Sequence, residues 1–147
     1  MTYTALPDPQ LQPEFYSDVP MKRLLAFVID TLIILAVCVA ILPFTAFTGL
    51  FFFPFLMLVV GFAYRVITIA NRSATWGMRL MSIEFRTHDG RAFDLGTAVL
   101  HTLGFTVSMG VFVAQAASIV MMLTSERGQG LTDMVLGSVA LNRQARR

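Results

Sequence analysis

An arginine and an aspartate share one face of a strongly apolar segment near the start of the chain. Arg23 and Asp30 lie in "KRLLAFVIDTLI" and are seven residues apart. In an α-helix, seven residues turn through about 700° and rise about 10 Å, so the two side chains point to nearly the same face. A carboxylate inside an apolar helix is costly in a membrane unless it is paired, neutral or hydrated. Asp30 is therefore expected to face protein or water.

Two chemical roles are open for Asp30. As a structural group, it would pair with Arg23 or anchor the first apolar segment to its neighbours, unless Arg23 reaches lipid phosphate instead. As a functional group, it would bind a monovalent cation or a proton, because ionisable residues within membranes commonly mark ion pathways. The spacing alone does not decide between these roles.

Three further polar residues are candidates for the same site. Asp133 follows the last apolar region in "ERGQGLTDMVLGSVAL", and we expect it to lie close to Arg23 at the same membrane face. His101 lies near the start of the third apolar region, where we expect a polar contact at the interface, with a proton relay as the alternative. Gln115 lies within that region, and its amide predicts a hydrogen bond between helices. His101 and Gln115 are candidates for supporting contacts around the acidic residues.

The sequence lacks the residue sets of common catalytic and metal sites. We find no nucleophile and base at a suitable spacing and no glycine-rich phosphate loop. The one cysteine, Cys38, allows neither a disulfide within the chain nor a zinc set. We therefore expect a protein that is not an enzyme and that binds no metal and no cofactor. Its basic residues are scattered, so nucleic-acid binding is not expected either.

The composition indicates a membrane protein. Hydrophobic residues make up 56% of the 147 residues and charged residues only 14%, whereas a soluble domain has about a quarter charged residues. Two apolar segments, residues 24–42 and a stretch within 50–70, match the roughly 20 residues of a membrane-spanning helix. The third apolar region, residues 98–123, is rich in small and polar residues. It is either one tilted span or a bent, re-entrant hairpin with its break near residues 108–110.

Polar segments surround these predicted spans. We assign residues 1–18 to a flexible arm, 19–143 to the membrane domain and 144–147 to a basic tail. In "MSIEFR" apolar and polar residues alternate, which predicts a strand; "HDG" predicts a turn, and "RAFDL" could return as a second strand. The segment "SVALN" could pair with this hairpin. The predicted fold is an all-α membrane protein with two to three transmembrane helices and a small cytoplasmic β-hairpin cap.

The basic residues predict which parts face the cytoplasm. Two Lys or Arg residues precede the first span, none lies between the first two spans, five precede the third region and four follow it. Because cytoplasmic loops are enriched in Lys and Arg, we expect the N-terminus and the hairpin to face the cytoplasm of a bacterial cell, from its inner membrane. The basic tail would face the same side if residues 98–123 are re-entrant.

Taken together, these features resemble the RDD family, small membrane domains named for one arginine and two aspartates. The family places its arginine at the mouth of the first helix, one aspartate within that helix and the other after the last apolar region. Arg23, Asp30 and Asp133 occupy those positions. The segment "ATWGMRLMSIEFRTHDG" is also similar to a family segment. The resemblance covers residues 19–141, and it implies a transport-type role, including cation/proton exchange, for some members.

Two functions of different classes follow from this interpretation. The first is transport of a cation or proton past Asp30, by an oligomer because two or three spans enclose little space. The second is a non-catalytic accessory or assembly subunit of a larger membrane complex. In both cases the expected partners are the lipid bilayer and either copies of this chain or other membrane protein subunits. Transport requires Asp30 to reach water and titrate, whereas an assembly role requires only that it be paired.

Overall fold

The computed structural model describes residues 6–142, which form mainly α-helices. The α-helices within this range are α1 Val19–Ile41, α2 Phe53–Arg72, α3 Trp76–Leu80, α4 Leu95–Gly110, α5 Phe112–Thr124 and α6 Leu131–Leu136. Short 3-10 helices occupy Pro13–Phe15, Leu42–Thr45 and Thr48–Leu50. The two strands are β1 Ile83–Arg86 and β2 Val139–Asn142. The predicted basic tail, residues 144–147, lies outside the described residues.

Helices α1 and α2 are the two membrane-spanning candidates that the sequence predicts. The segments Pro13–Thr45, which contains α1, and Phe53–Arg72, which is α2, are long and apolar enough to cross a bilayer. A proline lies in the first turn of each helix, where its fixed φ suits the helix and its missing N–H is not needed. A second proline, Pro43, follows the end of α1 and terminates it.

The third apolar region is broken into α4 and α5. The two helices meet at Val111, and their axes differ in direction by 117°. Helix α4 begins where the Asp94 side chain accepts a hydrogen bond from the Thr97 N–H at 2.8 Å, so Asp94 is its N-cap. A bend of this size partly reverses the chain, so the region has the bent arrangement that the sequence left open.

Both ends of the bent pair return to the same end of the molecule. Just before α4, the Phe93 ring stacks on Phe85 of β1, with 5.1 Å between ring centroids. After α5, Asp133 of α6 pairs with Arg23 near the start of α1, with 2.5 Å between Asp133 Oδ2 and Arg23 Nη1. Because β1 and the start of α1 are themselves adjacent in the core, α4 and α5 enter and leave on one side of the helical bundle.

A two-stranded antiparallel sheet lies at this end. Ile83 is opposite Asn142, and Arg86 is opposite Val139. The antiparallel pair is therefore present, but "RAFDL" is not its second strand, and the partner of β1 is the C-terminal segment containing "SVALN". The reason is that Ser73 bonds to the outer edge of β1, since its backbone C=O accepts from the Phe85 N–H at 2.8 Å.

The residues after the turn bind to Ser73 as well. The Ser73 hydroxyl donates to the Phe85 C=O at 2.6 Å and accepts from the Phe93 N–H at 2.9 Å. Phe93 is buried against Phe85. The chain therefore packs beside β1 through Ser73 and enters α4 without forming a strand.

The N-terminal arm is predicted to be flexible, but its described residues, 6–18, pack on β2. Leu6 and Phe15 are buried in a cluster with Val139 and Leu141 of that strand. The Asn142 side chain donates to two backbone carbonyls of the arm, at 2.9 and 2.8 Å. This part of the arm therefore covers apolar side chains of the sheet that would otherwise be exposed.

The remaining surface of the helices is apolar. Large apolar side chains are exposed along α1, α2, α4 and α5, among them Leu32, Phe55, Leu103 and Val113. A monomeric soluble protein rarely exposes contiguous apolar surface on this scale. This surface, together with the two candidate spans, supports a membrane protein.

Candidate functional site

Asp133 is the centre of the first of two buried networks. It is 1% exposed. Its Oδ2 accepts hydrogen bonds from Arg23 Nη1 at 2.5 Å and from the Gly130 N–H at 3.1 Å. Its Oδ1 lies 2.8 Å from His101 Nε2 and accepts from the Ser138 hydroxyl at 3.0 Å. Arg23 and Asp133 are in contact, as the sequence predicts, and His101 belongs to the same network.

Electrostatics keep Asp133 ionised despite its burial. Burial alone would raise its pKa, but the charge of Arg23 and the hydrogen bond with His101 outweigh burial and hold the pKa below its usual value. Phe85 forms one wall of the network, with its ring centroid 5.6 Å from Arg23 Cζ and 4.4 Å from the His101 ring. A fully paired carboxylate of this kind fastens α6 to α1 and α4.

Asp30 is the centre of the second network. It is also 1% exposed. Its Oδ1 accepts from the Tyr64 hydroxyl at 2.7 Å and from the Gly77 N–H at 2.9 Å. Its Oδ2 accepts from the Thr75 hydroxyl at 2.6 Å, and Arg65 Nη1 lies 3.9 Å away. Asp30 therefore links α1 to α2 and to α3.

Arg23 is not the partner of Asp30, so of the two structural roles left open for Asp30, the structure has the anchor to neighbouring helices and not the Arg23–Asp30 pair. The two side chains share a face of α1, but about two turns of helix, roughly 10 Å, separate them along its axis. Arg23 reaches Asp133 and the Gly128 C=O, the latter at 3.3 Å. The cation that faces Asp30 is Arg65 of α2.

The segment "ATWGMR" positions the donors around Asp30. The Thr75 hydroxyl accepts from the Met78 N–H at 3.2 Å, as the N-cap of α3, while it donates to Asp30. Gly77 contacts α1 so closely that an added Cβ would lie 2.3 Å from the Ala26 C=O oxygen and 2.8 Å from Asp30 Oδ1. Only glycine permits this approach of α3 to α1.

Comparison with known proteins now identifies the family. The model of the RDD family matches residues 19–137, which is most of the chain. The chain belongs to the RDD family. No curated protein and no solved structure matches it. In this RDD domain the characteristic arginine and two aspartates are divided between two networks, because Arg23 pairs with Asp133 and Asp30 pairs elsewhere.

Four partners of Asp30 were not predicted from the sequence. Tyr64 and Arg65 both point into the RDD domain toward Asp30. A usable signal was Arg65 itself, because an arginine within an apolar span predicts a buried acidic partner. Thr75 and Gly77 lie in the segment that resembles the family, but their contacts with α1 depend on the tertiary fold.

A cavity of about 70 Å³ lies between the two networks of the RDD domain. Asp30, Arg65 and Thr75 line it on one side, and Arg23, His101 and Thr102 on the other. Within residues 6–142, no three His, Cys, Asp or Glu side chains come close enough together to hold a metal ion. Apart from Asp30, the polar lining of this cavity consists of two arginines, one histidine and two threonine hydroxyl groups.

A larger cleft of about 650 Å³ opens between α1, α4 and α5 of the RDD domain. Its walls are mainly apolar and include Leu24, Phe27, Phe105, Met109, Ile119 and Met122, while Arg23, His101 and Asp133 lie at one end. Binding clefts in proteins commonly have volumes of roughly 300–1,000 Å³ and a few polar groups on apolar walls. The cleft of this RDD domain has both properties.

Gln115 lies in this cleft. The predicted hydrogen bond between helices is not formed within residues 6–142, where the Gln115 side chain has no hydrogen-bond partner, although it lines the cleft from α5. Ser118, one turn later, accepts from the Leu131 N–H at 3.0 Å and is thereby satisfied within the RDD domain. Gln115 is thus an amide that lines a mainly apolar cleft and has no side-chain partner among residues 6–142.

Proposed function

We propose that this RDD protein is a non-enzymatic membrane subunit that binds a transmembrane helix of another membrane protein in the cleft between α1, α4 and α5. The observation that carries the proposal is Gln115, which lines this apolar cleft and has no side-chain hydrogen-bond partner among residues 6–142. Unpaired amides are costly in apolar surroundings. An acyl chain cannot hydrogen-bond to Gln115, whereas a polar side chain on a neighbouring helix can.

The two carboxylate networks support a structural role for the acidic residues. Each oxygen of Asp133 accepts two hydrogen bonds, and both oxygens of Asp30 accept from protein donors at 2.6–2.9 Å. A cation at either carboxylate would have to displace N–H and O–H donors and lie beside an arginine. We infer that Arg23, Asp30 and Asp133 hold α1 in place and so shape one wall of the cleft.

We propose that this protein lies in the inner membrane of a bacterial cell and that its sheet end faces the cytoplasm. The support is the basic residues before α1 and between α2 and α4, since such residues favour the cytoplasmic side. The packing of residues 6–18 against β2 gives further support, because it brings both described ends of the chain to one side.

Site-specific photo-crosslinking tests the proposed cleft. A photoreactive phenylalanine analogue replaces Ile119, which lines the cleft, or Ile67 on α2, which lies outside it. Both isoleucines are exposed, by 48% and 65% respectively, so Ile67 is a matched control. Irradiated cells should give one membrane-protein adduct of defined mass from position 119 and not from position 67. Gln115→Leu should reduce the yield of the adduct from position 119, because the substitution removes the amide that hydrogen-bonds to a polar side chain of the bound helix.

Three other results would contradict this proposal. Adducts with lipid alone would identify the cleft as ordinary membrane-facing surface. An adduct only with a second copy of this chain would make the cleft a homo-oligomer interface. Equal adduct patterns from positions 119 and 67 would show that the cleft has no selectivity.

Transport of a monovalent cation or proton is a second candidate function. The observation in its favour is the cavity of about 70 Å³ that separates Asp30 from the His101–Asp133 pair. Transport would require Asp30 to exchange its protein donors for a cation or a proton during each cycle. Sealed vesicles containing the protein would then move protons when a monovalent cation is added.

A further inference from the structure

Thr102 has a buried hydroxyl group with no partner in the described part of the chain. Its residue is 0% exposed, and Oγ1 has no hydrogen-bond partner among residues 6–142. Helical threonines commonly satisfy their hydroxyl by donating to the carbonyl one turn earlier. Thr106 does so, donating to the Thr102 C=O at 2.8 Å. Thr102 instead borders the cavity of about 70 Å³ between the two carboxylate networks.

Arg65 lines the same cavity, and its guanidinium makes no direct hydrogen bond within residues 6–142. A guanidinium has five N–H donors. Its ion-pair partner is Asp30, whose Oδ2 lies 3.9 Å from Arg65 Nη1, which is too far for a direct hydrogen bond. The guanidinium lies over the Phe105 ring at 4.4 Å from Cζ to the ring centroid. The cavity is therefore bordered by an unpaired hydroxyl and by a cation that needs an acceptor.

The charges around the cavity select a neutral ligand. A cation would be repelled by Arg23 and Arg65, which both line the cavity. An anion gains little, because the carboxylates of Asp30 and the adjacent Asp133 offset the charges of the two arginines. Water is neutral and can accept from Arg65 while it bonds to Thr102. The volume exceeds the roughly 10–15 Å³ that one water requires.

We infer that this cavity is a binding site for a small cluster of ordered water that bonds to Thr102 Oγ1 and to the Arg65 guanidinium. Buried water typically makes about three hydrogen bonds to polar groups that are otherwise unsatisfied. The cluster joins the Asp30 network on α2 and α3 to the His101–Asp133 network on α4 and α6. Thr102 is thus a residue that positions this water between the Asp30 network and the His101–Asp133 network. This inference is independent of what occupies the larger cleft.

A pair of threonine-to-valine substitutions tests this inference, because the melting temperature should fall if the cavity holds water and rise if it is empty. Val has nearly the shape of Thr without the hydroxyl. If water is bound, Thr102→Val removes one of its partners and should lower the melting temperature by about 2–4 °C. If the cavity is dry, the same change removes an unsatisfied buried hydroxyl and should raise the melting temperature. Thr106→Val, one turn away, removes a hydroxyl that bonds to the Thr102 C=O, so it shows the cost of losing a satisfied hydroxyl in the same helix.

A high-resolution experimental structure provides the direct readout. We expect density about 2.7–3.2 Å from Thr102 Oγ1 and from an Arg65 nitrogen, with at least one peak lost in Thr102→Val. A higher melting temperature for Thr102→Val than for the parent protein would overturn the inference. So would the absence of density in the parent protein. A peak that gains anomalous signal on replacing chloride with bromide would also overturn it, because the ligand would then be an anion.

Discussion

Replacing Asp133 with alanine should lower the free energy of unfolding by about 3–5 kcal/mol, the usual effect of removing one partner from a buried ion pair. The substitution removes the acceptor of four donors at once. The Arg23 side chain is only 14% exposed, so its charge is left largely buried. Denaturant unfolding in mild detergent, followed by the emission of the one tryptophan, Trp76, measures this loss.

The control for this prediction is Asp94→Ala. Asp94 is exposed, and its side chain accepts one hydrogen bond at the start of α4, so its loss should cost about 1 kcal/mol. The double change Arg23→Met with Asp133→Leu should recover part of the loss, since it removes both charges together. If Asp133→Ala were no more destabilising than Asp94→Ala, the network would not be holding α6 in place.

The effect of Asp133 should also depend on pH. Its pKa is lowered in the folded protein, so its ionised form stabilises the fold fully above the unfolded pKa of about 3.9. The stabilisation is lost as the pH falls from there toward the lowered folded pKa. The stability difference between the parent protein and Asp133→Ala should therefore stay constant from pH 7 to about pH 5 and shrink in stronger acid.

Gly77→Ala should be nearly as damaging as the loss of Asp133, although it adds only a methyl group. The new Cβ would lie 2.3 Å from a backbone oxygen of α1, and backbone in a packed helix cannot move aside cheaply. Overpacking costs about 1–3 kcal/mol. Displacing α3 would also weaken the Gly77 N–H bond to Asp30, and such a bond to a charged group contributes about 1.5–3 kcal/mol. We expect a total loss of about 3–5 kcal/mol.

Gly110→Ala is the matched control for Gly77→Ala. An added Cβ at Gly110 meets no atom within 4 Å, so this change should alter the free energy of unfolding by less than about 1 kcal/mol. The emission of Trp76, which neighbours Gly77 and contacts Tyr64 edge-on at 6.0 Å between ring centroids, should shift in Gly77→Ala only. Equal stability of the two variants would contradict the close approach of α3 to α1.

The features that were predicted correctly from the sequence are those that local chemistry determines. Prolines and apolar length predict α1 and α2, alternation predicts β1, and Asp94 predicts the start of α4. The contact between Arg23 and Asp133 was also predictable, because both residues stand where the chain meets the basic side of the membrane. Each of these predictions needs only neighbouring residues or a shared membrane face.

The features that were missed depend on contacts between distant segments. Helical periodicity places Asp30 on a face of α1 but does not say which helix covers that face, so Tyr64 and Thr75, 34 and 45 residues away, were not identified. The segment "RAFDL" does not form a strand because Ser73 binds the edge of β1 where it would have paired, whereas the expected pairing of "SVALN" with β1 is present.

The central claim is that the carboxylates of this RDD protein are structural, and Asp30→Asn tests it most directly. Asparagine keeps the shape of aspartate but removes the charge and replaces one acceptor oxygen with a donor. The purified parent and variant are compared in sealed vesicles for proton movement on addition of Na⁺ or K⁺, and in detergent for stability. We predict no cation-dependent proton movement in either protein, and a loss of about 1.5–3 kcal/mol of stability in the variant. Proton movement by the parent that disappears in an equally stable variant would contradict the claim and identify Asp30 as an ion-carrying group.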